Sequence, residues 1–247
     1  HTAWAFAKTG QFGGPLLESL ARCAGARLSE LSAQGLANTV WAFAKADCVE
    51  ESLFAAFADA IHPRLNEFNA QDLANTAWAY AKTCHPHPQL FDAIGRAAEA
   101  HLDDLNAQDV TNTLWSFAKL GVSDAPLFAA VAGSLRGSRL EALTASHIAN
   151  VAWAFAKADQ IDSDLFGALS RVAEARVADL SAEELPNIAW AFANAGQLDG
   201  SLFAALATAA KPLVADFTEE GLDNAEWAFG RAGQAQIVSV LRQRRKR

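Results

Sequence analysis

A cation follows almost every tryptophan of this chain by four residues, and an asparagine precedes most of the tryptophans by three. We number repeat positions from the tryptophan, so these registers are +4 and −3. Cationic side chains bind phosphates, and an amide both donates and accepts hydrogen bonds. At about 100° per residue, both registers fall on one side of the tryptophan of a helix. They are Lys8, Lys45, Lys82, Lys119, Lys157 and Arg231 at +4, and Asn38, Asn75, Asn112, Asn150, Asn187 and Asn224 at −3.

The residues at −3 and +4 form one nearly constant column along the helix. A second column beside it, at positions −2 and −6, changes from repeat to repeat. Position −2 reads Thr39, Thr76, Thr113, Val151, Ile188 and Ala225, and position −6 reads Gly35, Asp72, Asp109, His147, Glu184 and Gly221. Packed helices lie roughly 8–10 Å apart, so the constant column becomes a ladder of amides and cations. Such a ladder suits a polymer with a phosphate at each step, and the variable column would face the bases. We therefore predict that Thr39, Thr76 and Thr113 tune base preference.

Structural roles explain the same residue types. A lysine in the last turn of a helix is favoured by the helix dipole. The asparagine can bond to the backbone of the adjacent repeat, and the tryptophan can pack between repeats. These alternatives stay open at the level of sequence.

The elements that carry both columns follow from the spacing of the seven tryptophans, which is 37, 37, 37, 38, 37 and 37 residues. A fixed period of this length is typical of a solenoid. We predict an all-α fold, an αα-hairpin repeat solenoid with an expected right-handed superhelix. The single array covers residues 1–241, with repeats near 1–31, 32–68, 69–105, 106–143, 144–180, 181–217 and 218–241, followed by a basic tail at 242–247.

Each full repeat contains the signals of two helices. Helix A begins after an N-cap residue, at Ser32, Asn69, Asn106, Thr144, Ser181 and Thr218. Helix B opens on a Leu-Phe pair, such as Leu53-Phe54, and its apolar residues follow helical spacing. Pro63 and Pro212 occupy one register late in helix B, where proline ends or kinks a helix.

Composition narrows the function classes. The net charge is −8, which counts against a bulk polyanion binder, although a basic stripe can exist on an acidic protein. Neither a Gly-rich phosphate loop nor a nucleophile elbow occurs, so we expect no enzyme, catalytic residue or cofactor.

Cys84-His85-Pro86-His87 is the one local group that resembles metal ligands, and a single loop is too little for a metal site. The basic run 242–247 is most simply a solvated tail, with a nuclear signal or nucleic-acid patch as alternatives. No apolar run is long enough to span a bilayer, so no membrane association is expected.

The repeated motif resembles a known family. Leu36 to Lys45 reads LANTVWAFAK and Leu73 to Lys82 reads LANTAWAYAK, and both are similar to octotricopeptide repeats and to the related heptatricopeptide repeats found with RAP domains. The period of 37 favours the heptatricopeptide spacing. The resemblance implies an α-solenoid that binds single-stranded RNA and acts in chloroplast or mitochondrial RNA stability, processing or translation. No RAP-like nuclease segment is visible.

The sequence therefore predicts selective binding of single-stranded RNA by the solenoid, in an organelle. Val151, Ile188 and Ala225 replace threonine, and Asn194 replaces the cation, so weaker binding is expected in the C-terminal half. The alternative is a scaffold of the same shape that binds a protein or peptide partner and makes no contact with RNA. The acidic balance favours the scaffold, whereas the aligned cations and the family resemblance favour RNA.

Overall fold

The computed structural model describes residues 14–48 and 50–245, and within these ranges all regular structure is helical. Lys8 and the first tryptophan, Trp4, lie outside the described residues. The α-helices are α1 (Gly14–Gly25), α2 (Ala33–Lys45), α3 (Glu51–Ile61), α4 (Ala70–Lys82), α5 (Pro88–Ala100), α6 (Ala107–Leu120), α7 (Ala125–Ser134), α8 (Ser138–Glu141), α9 (Ala145–Lys157), α10 (Ser163–Ala175), α11 (Glu184–Asn194), α12 (Gly200–Leu213), α13 (Glu219–Arg231) and α14 (Ala235–Arg245). Short 3-10 turns lie at Leu28–Glu30, His62–Glu67, Val177–Asp179 and Val214–Asp216.

The predicted helix A of each repeat is α2, α4, α6, α9, α11 or α13, and we call these the A helices. The intervening helices are the B helices. Neighbouring A helices pack side by side in the order predicted, α2 on α4 on α6 and α9 on α11 on α13. The predicted all-α, helical-repeat fold is therefore confirmed. A right-handed superhelix and a single continuous array stay predictions.

The chain forms two compact units, and the boundary lies between Val131 and Ala132. The first unit contains α2, α4 and α6 as its A helices, and the second contains α9, α11 and α13. None of the described helices has both the length and the apolar composition that crossing a membrane requires.

Side-chain caps begin the A helices where the sequence places them. The Ser32 hydroxyl accepts from the Gly35 amide at 3.1 Å, and Asn69, Asn106, Thr144 and Thr218 cap in the same way. In the sixth repeat Ser181 and Glu184 still exchange two hydrogen bonds, yet α11 begins only at Glu184. The reason is Pro186. The Leu185 amide donates to the Ser181 carbonyl at 3.0 Å, but Pro186 has no N–H to donate to the Ala182 carbonyl.

Small residues let the A helices approach one another. The alanines at +1 and +3, such as Ala42, Ala44, Ala79 and Ala81, are fully buried. Aromatic contacts then join four of the B helices, α3, α5, α10 and α12, to the next A helix. The pairs within the units are Phe54–Tyr80, Phe91–Phe117, Phe166–Phe192 and Phe203–Phe229, all edge to face with ring centroids 5.0–6.2 Å apart. This geometry is the favourable one for aromatic rings.

Candidate nucleic-acid interface

The lysines at +4 lie at the C-terminal ends of the A helices. Lys45, Lys82 and Lys119 are exposed in the first unit, and Lys157 is exposed in the second. Among the described residues Lys82 alone of these four forms an ion pair, in which its Nζ lies 2.9 Å from Asp47 Oδ1 of the preceding repeat. That hydrogen bond lowers the pKa of the Asp47 carboxyl. Because both groups are solvated, the pair is weak and leaves the ammonium accessible.

The sixth and seventh repeats use the +4 register differently. Asn194 donates from its Nδ2 to the Ala156 carbonyl at 3.1 Å, which ties α11 to the end of α9. Arg231 places its guanidinium 5.0 Å from the centre of the Trp227 ring, a cation–π contact. The cation register is therefore regular in the first unit and mixed in the second.

The asparagines at −3 are half-buried in every described repeat. Asn112 Oδ1 accepts from Gln108 Nε2 at 2.8 Å, and Asn150 Nδ2 donates to the Ser146 carbonyl at 3.0 Å. One contact crosses between repeats, from Asn224 Nδ2 to Asn187 Oδ1 at 3.5 Å. The half-exposed amides border solvent on the same side as the lysines.

The tryptophans combine packing with exposure. The rings of Trp41 and Trp78, on adjacent A helices, lie 6.1 Å apart at a tilt of 35°. Trp41 also packs with Leu20 against the buried Ala42. Every described tryptophan nevertheless keeps part of its surface open, up to 40 % for Trp227. Along each A helix the partly exposed tryptophan lies between the asparagine at −3 and position +4.

Two of the three threonines at −2, Thr76 and Thr113, do not border this surface as predicted, whereas the base-contacting role of the half-buried Thr39 stays a prediction. Thr76 is fully buried and donates to the Asp72 carbonyl at 2.7 Å, and Thr113 is 1 % exposed with a hydroxyl that has no partner among the described residues. Thr39 is half-buried and donates to the Gly35 carbonyl at 2.6 Å. In this structure Thr76 and Thr113 therefore cannot contact bases, which corrects the sequence interpretation. The physical reason is that the −2 register lies in the packed interior, where Val151, Ile188 and Ala225 are also buried.

Position −6 is also directed inward in the central repeats. Asp72 and Asp109 are buried and complete capping boxes by accepting from the amides of Asn69 and Asn106. Burial raises the pKa of both carboxyls. Asp72 and Asp109 therefore stabilise the starts of their own helices, and at these two repeats position −6 has a structural role.

Position −7 is the exposed variable register that the sequence interpretation did not use. Its side chains are exposed in every described repeat except at the half-buried Ser146. The helical wheel already placed Gln34 beside Asn38 and Lys45, and this placement was the available signal. The register reads Gln34, Gln71, Gln108, Ser146, Glu183 and Glu220.

Within the described part of the C-terminal basic run, residues 242–245, Arg242 and Arg245 form ion pairs, and residues 246 and 247 lie outside the described residues. Arg242 to Arg245 continue α14. Arg242 Nε lies 2.7 Å from Glu226 Oε1, and Arg245 forms ion pairs with Asp223 and Glu226. Both acids lie on α13, so packing of α14 against α13 brings the charges together.

The Cys-His loop has structural contacts. The His85 ring stacks on Phe54 with centroids 4.6 Å apart, and His87 Nδ1 accepts from the Leu90 amide at the start of α5. Over the part of the chain that the structure describes, no three His, Cys, Asp or Glu side chains are grouped as metal ligands.

A family model decides the relationship of this repeat chain to known proteins. The model described as RNA-editing substrate-binding complex 6 protein, RESC6, matches residues 1–247. The chain belongs to the RESC6 family. No curated protein matches it in sequence. RESC6 is an RNA-associated helical family, and membership of the octotricopeptide or heptatricopeptide families in particular stays a prediction.

Proposed function

We propose that this RESC6-family chain binds single-stranded RNA through the −3 and +4 registers of its A helices. The observation that carries the proposal is the exposure of lysines at the ends of successive A helices beside half-exposed amides. Cations in this arrangement bind backbone phosphates, and amides bind sugars or base edges. The family description supports the proposal, because it names a complex that binds the substrate of RNA editing.

The remaining parts of the prediction belong to the same proposal. The chain acts as a binding protein rather than as an enzyme, and it works in an organelle on RNA processing, stability or translation. Sequence selectivity comes from side chains beside the cations. Both RNA and protein partners fit a protein of an RNA-editing complex.

A second candidate, a protein-binding scaffold, is favoured by one groove. It lies in the second unit between α12 and the segment 174–180 at the end of α10, has a volume of about 770 Å³ and is lined mainly by small or apolar side chains, among them Ala204, Ala205 and Leu213. Such a surface fits an apolar segment of a partner better than a phosphate backbone.

The proposal is tested by binding of the chain to labelled single-stranded RNA of random sequence. A K45A/K82A/K119A variant should lose at least about tenfold in affinity, since three phosphate contacts are removed. A matched variant, R96A/R171A/K211A, removes three exposed cations from B helices and should bind almost as well as the parent chain. Equal losses in the two variants, or no binding by the parent chain at low salt, would overturn the proposal.

A further inference from the structure

Four registers of each A helix form one exposed line. Positions −7, −3, 0 and +4 are separated by four, three and four residues, which places them on one face at about 100° per residue. Their side chains are exposed or half-buried in every described repeat. The bond from Gln108 to Asn112 shows two of these registers in direct contact. We call this line the outer stripe.

The outer stripe of the first unit is uniform and cationic. Each of its three A helices carries the same four residues in the same order, glutamine, asparagine, tryptophan and lysine. The stripe contains three lysines and no acidic residue, and Asp47, which adjoins the stripe, is paired with Lys82. Lys45 and Lys119 form no ion pair with any described residue. The residues are Gln34, Asn38, Trp41 and Lys45 on α2, Gln71, Asn75, Trp78 and Lys82 on α4, and Gln108, Asn112, Trp115 and Lys119 on α6.

The outer stripe of the second unit has a different charge. Lys157 and Arg231 are its two cations, and Glu183 and Glu220 occupy position −7, so the charges balance. Asn194 stands where the third cation would be, and its amide is bonded to the Ala156 carbonyl. Glu184 accepts a hydrogen bond from Ser146, which joins α11 to α9 at this register. A phosphate on this stripe would meet a carboxylate at two of three helices.

The chemistry of position −7 changes in the same way between the units. Glutamine carries both a donor and an acceptor, as base edges do, and it repels neither phosphate nor base. An ionised glutamate can only accept hydrogen bonds, and its charge repels the phosphate backbone of RNA. Thr76 and Thr113 are buried, whereas the glutamines at −7 are exposed one helical turn before the asparagines, and Gln108 is hydrogen-bonded to Asn112.

We infer that the outer stripe of the first unit is the RNA-binding surface and that Gln34, Gln71 and Gln108 are its base-contacting positions. This inference rests on the proposed function and locates it. The RNA strand runs across α2, α4 and α6. The lysines contact its phosphates, and the glutamines and asparagines contact exposed base edges. The outer stripe of the second unit binds RNA weakly or not at all.

A pair of double variants of the full chain tests the location with single-stranded RNA of random sequence. K45A/K119A removes two cations from the first unit and should lose about tenfold in affinity or more. K157A/R231A removes two cations from the second unit and should change affinity less than about twofold. Equal losses, or a larger loss from K157A/R231A, overturn the location while leaving RNA binding intact. No RNA binding by the parent chain overturns the proposed function itself.

A gain-of-binding variant makes the test independent of misfolding. E183Q/N194K/E220Q gives the second unit the residues of the first at three positions and should raise affinity several-fold. Thermal unfolding of each variant checks the fold. Unchanged affinity in a folded triple variant would contradict the view that charge at these positions excludes RNA.

The glutamines are tested by selection from an RNA pool. Q34A/Q71A/Q108A should alter the sequences that are enriched and leave the salt dependence of binding unchanged, because no charge is removed. An identical set of enriched sequences would overturn the base-contacting role.

Discussion

Tyr80 shows how one residue adapts the repeat to its neighbour. The other described A helices carry phenylalanine at this +2 register. Tyr80 is buried, and its hydroxyl donates to the Phe54 carbonyl at 2.7 Å across the repeat boundary. Burial raises the pKa of the Tyr80 hydroxyl, so it stays a donor throughout the physiological range. The hydrogen bond therefore holds the Tyr80 ring in its edge-to-face orientation against Phe54.

We predict that Tyr80→Phe lowers the free energy of unfolding by about 1 kcal/mol, the net value of a buried hydrogen bond. Urea denaturation measures the change. Thr208→Val, which removes an exposed hydroxyl, is the control and should change stability by less than about 0.5 kcal/mol. A neutral Tyr80→Phe would mean that the hydroxyl contributes nothing to repeat stacking.

Asp72 and Asp109 give a prediction about pH. Their folded pKa values are raised by burial, so at neutral pH the folded state holds two disfavoured carboxylates. Asp72→Asn with Asp109→Asn keeps the capping acceptor and should increase stability at neutral pH. A raised folded pKa means that the folded parent chain binds protons first as pH falls. The advantage of the variant should therefore shrink toward the ordinary aspartate pKa of about 4. An advantage that grows as pH falls would contradict the assignment.

At the scale of the element, every described A helix ends in the same way. The residue at +6 has a positive φ, supplied by Gly121, Gly196 and Gly233 in three repeats and by Asp47, Cys84 and Asp159 in the others. Glycine adopts this left-handed conformation without a steric penalty, whereas a side chain adds strain. The ends of the A helices are thus built alike, with different degrees of strain.

We predict opposite effects from two substitutions at this register. Cys84→Gly should stabilise the chain by about 1 kcal/mol, and Gly121→Ala should destabilise it by about the same amount. A Cβ at Gly121 would meet no atom within 4 Å, so only backbone strain enters. Thermal or urea unfolding measures both. Loss of stability in both variants would show that the side chain of Cys84 matters more than its backbone conformation.

At the scale of the whole molecule, charge limits how RNA is bound. The chain has a net charge of −8, so attraction comes from a local stripe and not from the molecule as a whole. Arg242 and Arg245 add no unpaired positive charge for RNA, because they form ion pairs with Glu226 and Asp223. Binding should therefore involve few phosphates.

We predict a plot of log K against log salt with a slope of about −2, as expected for three lysines on a single strand. The K45A/K82A/K119A variant should bind weakly with a slope near zero. Titrations at several salt concentrations measure this. A slope of about −5 or steeper in the parent chain would show additional phosphate contacts, first of all from the arginines of α14.

Much of this protein follows from its sequence alone. The tryptophan period determined the helical hairpin repeat, the N-cap residues determined where five of the six described A helices begin, and the Leu-Phe pairs indicated where the B helices that contain them open. These features depend on local bonds and on periodic burial, which a sequence displays directly. The exposure of Lys45, Lys82 and Lys119 was also predictable, since cations are rarely buried.

Tertiary structure decided which polar residues face solvent. Thr76 and Thr113 are polar, yet they are interior, because a threonine is small enough to pack between helices. The Thr76 hydroxyl donates to the Asp72 carbonyl four residues earlier, whereas the Thr113 hydroxyl has no partner among the described residues. Packing of neighbouring A helices covers that side of each helix and leaves position −7 open. The pairing of Arg245 with Asp223 was likewise set by the docking of α14 on α13. A helical wheel separates apolar from polar residues, and only the neighbouring helix determines how much of the polar arc is covered.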